Sequence, residues 1–291
     1  MKRIICENKN NEKLKFTYDF PFFLESVDGL HSVIGTVTTV SSAFGIGESY
    51  SGTSVQKRTI TITGIIKDEF EARRKALYRI FPLKTEGTLY YYENEKDKGK
   101  KINYIVENVE IAEKGMPKTF TISLICPNPY FKDLEETEVS MATWTPAFCF
   151  PMISEKDVGI EFATKNITTM GTITNETYID LGTTIHFIAH GQVVNPYIVN
   201  VDTQEQLLIE IEMKAGDEIV ITTHRGNKKI NLIEDTTKTS KDIIHLMKYG
   251  SKFLQMHSGT NTLRAGAEKN EENLETKVYY SNEYEAVWYD W

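Results

Sequence analysis

The chain has 291 residues, of which 40% are hydrophobic, and this is enough apolar surface for two cores of ordinary size. Its 41 acidic residues outnumber its 33 basic residues, so a general electrostatic attraction to nucleic acid is not expected. The three cysteines are far apart and form no CxxC pair, which argues against a disulfide framework and against a structural zinc site. The apolar run at the start is too short for a signal peptide, and no window is apolar enough to predict a membrane span.

The first predicted strand covers residues 14–20, where apolar and polar residues alternate up to Pro21. The following segment, 30–52, carries little charge and much Gly, Ser, Thr and Val, which predicts a long hairpin or arm. The Gly-Ile-Gly at 45–47 does not predict a dinucleotide site, because Tyr50 stands where the third glycine is required.

The clearest pattern spans residues 58–92 and predicts a strand, a helix and a second strand. Ile60 and Ile62 alternate with threonines, which places one face of the first strand in a core. We expect Asp68 to cap the helix, with Glu71 at the capping-box position. An apolar stripe predicts that the helix packs on a sheet, and its members are Ile66, Phe70, Leu77, Ile80 and Phe81.

A charged run at 93–101 predicts an exposed hairpin tip, because acidic residues interleave with its lysines. A last strand is predicted around 120–124, and the proline pair Pro127 and Pro129 ends it. We therefore place the end of a first domain at residue 133.

The region after residue 158 is patterned as short strands separated by turn residues, with no long helical period. Its apolar faces are Ile185, Phe187 and Ala189; Leu207, Ile209, Ile211 and Met213; Ile219 and Ile221; and Ile230 and Leu232. Such a pattern predicts an antiparallel β-sandwich or jelly roll. We expect an N-terminal domain at 1–133, a connector at 134–157 and the sandwich at 158–291.

Two pairs of residues invite a catalytic or metal interpretation. His186 and His190 are four residues apart, but on a strand this spacing favours surface histidines over a shared metal. Asp217 and Asp235 resemble a glycosidase acid and base only if they are close in space, which the sequence does not give. We therefore expect no enzyme activity, no cofactor and no metal.

Four segments occur in an order that resembles the distal tail proteins of long-tailed bacteriophages. They are the strand-helix-strand at 58–92, the ICPNPYF sequence at 125–131, the stretch beginning NPYIVN at 195–219, and the stretch beginning SKFL at 251–261. This resemblance implies a mainly β fold with an N-terminal split-barrel-like domain that carries one packed helix. It also implies a galectin-like C-terminal sandwich.

The same resemblance implies a structural role at the distal end of the phage tail, after synthesis in the cytoplasm of the host bacterium. The expected assembly is a homohexameric ring that joins the tail tube to the distal tail and adhesion apparatus. Expected partners are the tail tube protein, the tail-associated hub or lysin protein, and receptor-binding or baseplate proteins. DNA would pass through the ring without specific binding, and no membrane contact is expected.

Two sets of residues are candidate contacts. If segment 30–52 is an arm that reaches a neighbouring subunit, its contacts are Val37, Val40, Phe44 and Ile46. The alternative function is a carbohydrate-binding sandwich that contacts the host cell surface, with Tyr178, Phe187 or Tyr197 as a stacking platform. An aromatic residue on a predicted strand is more often part of a core. Besides the structural component and the carbohydrate-binding module, a cell-wall hydrolase is the third class of function considered.

Overall fold

The computed structural model describes residues 2–41, 45–94, 98–112, 114–146, 163–167 and 169–288. For residues 142–146 and 163–167 it describes the backbone alone. The chain divides into two compact units. The first comprises Met1–Leu134 with Glu283–Trp291, and the second comprises Glu135–Asn282. Both are built mainly from antiparallel strands, as the sequence predicts.

The first unit contains a curved sheet and one helix. Its strands begin with β1 (Arg3–Asn8), β2 (Lys13–Phe16), β3 (Phe22–Asp28), β4 (Gly35–Ser41), β5 (Glu48–Val55), β6 (Arg58–Ile66), β7 (Glu86–Tyr92), β8 (Lys100–Ile111), β9 (Lys118–Cys126) and β10 (Phe131–Asp133). The helix α1 spans Phe70–Ile80. The sheet order is β2-β1-β7-β8-β9-β6-β3, and a bridge between Thr17 and Phe23 joins its two edges. The sheet therefore closes into a barrel.

Alternating side chains fill the barrel. Ile60 and Ile62 are fully buried, which confirms the pattern predicted for this strand. The ring centroid of Phe16 lies 5.6 Å from that of Phe120 and 6.2 Å from that of Phe81, so aromatic contacts join the sheet to the end of α1. The predicted apolar stripe of the helix is confirmed, since its members are buried or packed against this core.

The start of the helix differs from the prediction. Asp68 and Glu69 have positive φ angles of 61° and 43°, and no side chain caps the first turn. Glu71 pairs with Arg74 at 2.8 Å instead of closing a capping box. The predicted Asp68 cap was therefore wrong, because two left-handed residues turn the chain from β6 into α1 and leave Asp68 outside the helix.

The predicted N-terminal strand is shorter in the structure. β2 ends at Phe16, because the Thr17 carbonyl then accepts a hydrogen bond from the Leu24 N–H at 2.7 Å and the chain leaves β1. Tyr18 and Phe20 consequently stay exposed, against the predicted alternation. β1, in which Ile4 and Cys6 are buried, was not predicted.

The second unit is a sandwich of two sheets. Its strands are β11 (Thr137–Ser140), β12 (Ala142–Pro146), β13 (Ala163–Ile167), β14 (Met170–Asn175), β15 (Thr184–Ala189), β16 (Val193–Asn200), β17 (Glu205–Leu208), β18 (Glu212–Met213), β19 (Glu218–Thr222), β20 (Lys229–Ile233), β21 (Ser240–Asp242), β22 (Gly259–Lys269) and β23 (Leu274–Tyr280). One sheet has the order β11-β23-β15-β19-β20-β21, and the other has β14-β22-β16-β17 with β18 on β16. Two short 3-10 helices lie at Ile244–Leu246 and Glu271–Asn273, and β12 pairs with β13.

The inward faces of the two sheets form one core, which contains the predicted apolar residues of β15, β19 and β20. The predicted strand over 207–213 is divided into β17 and β18, because Ile209 forms a bridge with Met247 and the Glu210 N–H donates to Leu246. Of the predicted connector, residues 147–157 lie outside the described part of the chain, and so does the predicted start of the sandwich at 158–162.

The last strand, β24 (Glu283–Tyr284), belongs to the first unit, where it pairs with β10. The side chain of Lys132 reaches Glu283 at 3.1 Å, and the Tyr284 hydroxyl donates to Asp133 at 3.3 Å. Further on, the Trp288 ring N–H donates to Glu93 at 2.9 Å. The end of the chain is thus fixed to the barrel through main-chain and side-chain contacts.

Arg58, at the start of β6, is the buried centre of this attachment. It is 6% exposed, and its guanidinium lies over the Phe131 ring. Its N–H groups donate to four backbone carbonyls, those of Gly29 and Pro129 at 2.6 Å, of His31 at 2.5 Å, and of Glu285. Burial lowers the pKa of the guanidinium, and the carbonyls replace the water that it loses.

In the part of the chain that the structure describes, no helix combines the length and apolarity needed to cross a membrane, and α1 has 11 residues.

Candidate functional site

The strands β4 and β5 form a two-stranded ribbon with almost no buried residue. Within the described residues, each of these strands pairs only with the other. Val37 and Val40 are 60% and 59% exposed, and Ile46 is fully exposed. Phe44, the remaining predicted contact, lies outside the described residues. Because an isolated two-stranded hairpin is only marginally stable in water, the ribbon needs a further surface to pack against.

The strand register divides this ribbon into two unlike faces. Side chains of directly opposed residues share a face, and the pairs place Val37, Tyr50 and Val55 together on one of them. Glu48 lies on this face as well, where it accepts a hydrogen bond from the Thr39 hydroxyl, and the Tyr50 hydroxyl donates to Thr53 at 3.0 Å. We call it the apolar face after its three large exposed side chains. Val40 lies on the opposite face, among threonine, serine and glycine. The structure therefore separates two residues that the sequence grouped as arm contacts.

The chemistry of the ribbon favours contact with another protein chain. Glu48 is its only charged residue between positions 35 and 55, and this stretch contains no lysine or proline. Exposed sheet edges are usually protected by such residues against pairing with other strands. One register shift, between Thr38 and Thr39, interrupts the ladder. The ribbon thus offers the apolar face and two edges that carry neither lysine nor proline.

The three aromatic residues predicted as a stacking platform for sugar, Tyr178, Phe187 and Tyr197, do not lie together in the structure. Phe187 is fully buried in the sandwich core, which removes it as a stacking platform. Tyr178 is 83% exposed on the segment after β14. Tyr197 lines an open cleft of about 350 Å³, and Tyr178 is not part of its lining. Of the three, Tyr197 is thus the residue that lines this cleft.

The candidate histidines each contact a carboxylate on a neighbouring strand or strand end. His186 Nδ1 lies 2.6 Å from a Glu218 carboxylate oxygen, and His190 Nε2 lies 2.6 Å from one of Glu275. No group of three or more potential ligands able to hold a metal occurs among the described residues. These histidines are therefore explained by pairs on the sheet surface.

Asp217 and Asp235 are close together, but the carboxylate of Asp217 accepts hydrogen bonds from two backbone N–H groups. It accepts the N–H of Asp235 at 3.1 Å and the N–H of Lys214 at 2.8 Å. Asp235 in turn pairs with Lys238. The arrangement stabilises the turns beside β19, and it does not leave two carboxylates facing a shared space for substrate.

A larger open cavity, of about 640 Å³, lies on the barrel unit and was not predicted. The Tyr90 hydroxyl, on its wall, donates to Glu7 at 2.9 Å. Burial, together with this bond, raises the pKa of Tyr90 to about 12. Lys13 also pairs with Glu7, at 3.3 Å. The Glu7 carboxylate on this wall is thus paired with Tyr90 and with Lys13.

Comparison with known proteins identifies both units. A model of the phage tail protein RIFT-related domain matches residues 9–126, and a model of the siphovirus-type tail component, C-terminal domain, matches residues 176–284. Among curated protein sequences, none matches the chain.

Solved structures of low sequence identity share the fold along the whole chain. The SPP1 Dit protein, described as a paradigm of the hub adsorption apparatus in phages that infect Gram-positive bacteria, has a TM-score of 0.65 at 12% identity, over 97% of this chain and 99% of its own. A chain of the phage P2 baseplate, activated with Ca, has a TM-score of 0.55 at 10% identity, over 99% of this chain and 100% of its own. The same baseplate with Sr gives 0.54 at 11% identity, with the same coverage of both chains.

Proposed function

The chain belongs to the siphovirus distal tail, or baseplate hub, protein family and is a structural component of the phage tail, and on this premise we propose that it forms a homohexameric ring. The ring joins the tail tube to the distal tail and adhesion apparatus. Its subunits are made in the host cytoplasm and reside in the virion at the distal end of the tail.

The exposed β4–β5 ribbon is the observation that carries this proposal. A closed ring requires one surface of each subunit to meet a different surface of the next. The ribbon supplies one of these surfaces, because its apolar face with Val37 and Tyr50 is exposed and its edges carry neither lysine nor proline. The ribbon is thus the arm that reaches the neighbouring subunit. The number of six subunits follows from the family resemblance.

The proposed partners are other parts of the tail. They are the tail tube protein, the tail-associated hub or lysin protein, and receptor-binding or baseplate proteins. DNA passes through the ring without being bound, and the formal net charge of -8 supports this, since specific or general DNA binding uses basic surfaces. The role is structural and includes no reaction.

Light scattering of the purified chain tests the proposal directly. The monomer has a mass of 33.3 kDa. A closed ring of six subunits is expected at about 200 kDa, independent of concentration above its assembly threshold. A monomer at every concentration, both alone and with the tail tube protein added, would contradict ring formation.

The alternative, a carbohydrate-binding sandwich that contacts the host cell surface, has one specific observation in its favour. This is the open cleft beside Tyr197, in the second unit. The scaffold role and sugar binding at this cleft are compatible, because the ribbon and the cleft belong to different units.

A further inference from the structure

The cleft of the second unit is bordered by an aromatic ring that the sheet positions. Tyr197 on β16 pairs with Gly266 on β22. A Cβ atom at position 266 would lie 2.6 Å from the Tyr197 hydroxyl oxygen and 2.7 Å from its Cζ. The ring therefore occupies this place only because residue 266 has no side chain. Tyr197 also lines the cleft.

A tight turn at Lys248–Ser251 places a second aromatic ring on the same cleft. The Ser251 N–H donates to the Lys248 carbonyl at 3.0 Å, and Gly250 has a φ of 86°, which favours glycine. Tyr249, between Lys248 and Gly250 in this turn, is fully exposed and lines the cleft.

This turn is anchored to β17 on both sides. The Lys248 N–H donates to the Leu208 carbonyl at 2.9 Å, and the Leu208 N–H donates to the Ser251 hydroxyl at 3.1 Å. The Lys252 N–H donates to the Gln206 carbonyl at 2.8 Å. The backbone that carries Tyr249 is thus ordered before any ligand arrives, which lowers the entropy lost on binding.

The polar groups around the two rings are of mixed type. Gln206, Lys248 and Glu268 line the cleft, and the ammonium of Lys248 lies 3.9 Å from a Glu268 carboxylate oxygen. Their charges balance, so neither an anion nor a cation is favoured. The volume of about 350 Å³ lies at the small end of the range for ligand sites.

We propose that this cleft binds a neutral hexose unit of a polysaccharide. The C–H face of a sugar ring packs against an aromatic face, here Tyr249 or Tyr197. Its hydroxyls act both as donors and as acceptors, which matches the amide, ammonium and carboxylate at the rim. The inference deepens the carbohydrate-binding alternative and does not depend on ring formation.

The test uses the full chain with four neutral disaccharides, maltose, cellobiose, lactose and N,N′-diacetylchitobiose, each at about 10 mM because single-unit recognition is expected in the millimolar range. Saturation-transfer NMR should show contact with the ring protons of at least one. Tyr249→Ala is expected to weaken that binding about tenfold or more. Gly266→Ala should also weaken it, because the new methyl displaces Tyr197. Tyr78→Ala, which removes a half-exposed tyrosine of α1, is the matched control and should bind as the unsubstituted chain does.

Two results would overturn the proposal. Absence of transfer to all four disaccharides excludes a neutral sugar site, and a change in binding of another tail protein by Tyr249→Ala would then assign the cleft to a protein partner. Undiminished transfer in both Tyr249→Ala and Gly266→Ala places the sugar elsewhere. Light scattering of every variant, with circular dichroism to check folding, keeps a failure of ring assembly distinct from a failure of sugar binding.

Discussion

Replacing Val37 and Tyr50 together with glutamate is expected to yield monomers of 33.3 kDa under conditions in which the unsubstituted chain forms a ring. Both side chains lie on the apolar face of the ribbon. Contact with a neighbouring subunit would bury two carboxylates without partners, and the penalty is several kcal/mol for each. Every interface of a symmetric ring carries the same penalty, so assembly should be lost as a whole. Light scattering across a concentration series measures the effect.

The control places the same charges on the opposite face, as Thr38→Glu with Ser54→Glu, because these two residues, like Val37 and Tyr50, are not directly opposed across the ribbon. This variant should keep the mass of the ring, and Val40 would then lie outside the contact. All four positions are exposed in the subunit, so folding stability is expected to change by only about 0.5 kcal/mol. Equal loss of the ring in both variants would reject the assignment of the face. A ring that survives Val37→Glu with Tyr50→Glu would reject the ribbon as a subunit contact.

Replacing Arg58 with methionine is expected to lower the free energy of unfolding of the first unit by about 3–5 kcal/mol. Methionine can keep the packing against Phe131, but it leaves four carbonyls without their donor. Each buried carbonyl without a partner costs about 1–3 kcal/mol. Those of Gly29 and His31 can regain water more readily than a fully enclosed group, so the total falls below the simple sum.

Urea denaturation followed by circular dichroism measures this loss. Arg79→Met is the matched control, because Arg79 belongs to the same unit but is largely exposed and pairs at the surface with Glu12, at 3.2 Å. Arg79→Met should change the free energy of unfolding by less than about 1 kcal/mol. Arg58→Lys should fall between the two, since one ammonium does not reach four carbonyls in a planar arrangement. A loss below about 1 kcal/mol for Arg58→Met would show that Arg58 does not hold the end of the chain.

The sequence predicted those parts of the fold that depend on local periodicity. Ile60 and Ile62 are buried, and the stripe of α1 is buried or packed against the core, as expected, because burial of one face imposes a period on the chain. Local capping signals were less reliable. Asp68 and Glu71 match a capping box, yet the sharp turn out of β6 places Asp68 and Glu69 in left-handed conformations.

The candidate surfaces depend on contacts between distant residues, which periodicity does not reveal. Arg58 donates hydrogen bonds to carbonyl groups of residues as far apart in the sequence as Gly29 and Glu285. Tyr197 was a sequence candidate, but its cleft requires Gly266 across the sheet and Tyr249 on a separate turn. The low charge and glycine content of segment 30–52 did predict the hairpin. The division of its faces required the register between β4 and β5.

The return of β24 to the barrel makes the second unit an insertion with neighbouring ends. Phe131 pairs with Tyr284 just before the chain leaves the first unit and just after it comes back. Within the second unit, Thr137 pairs with Tyr280 in the same antiparallel sense. A segment whose ends lie side by side can be replaced by recombination with another domain of similar end spacing, without opening the barrel. The fold therefore permits a phage lineage to change this module while the barrel and the β4–β5 ribbon stay the same.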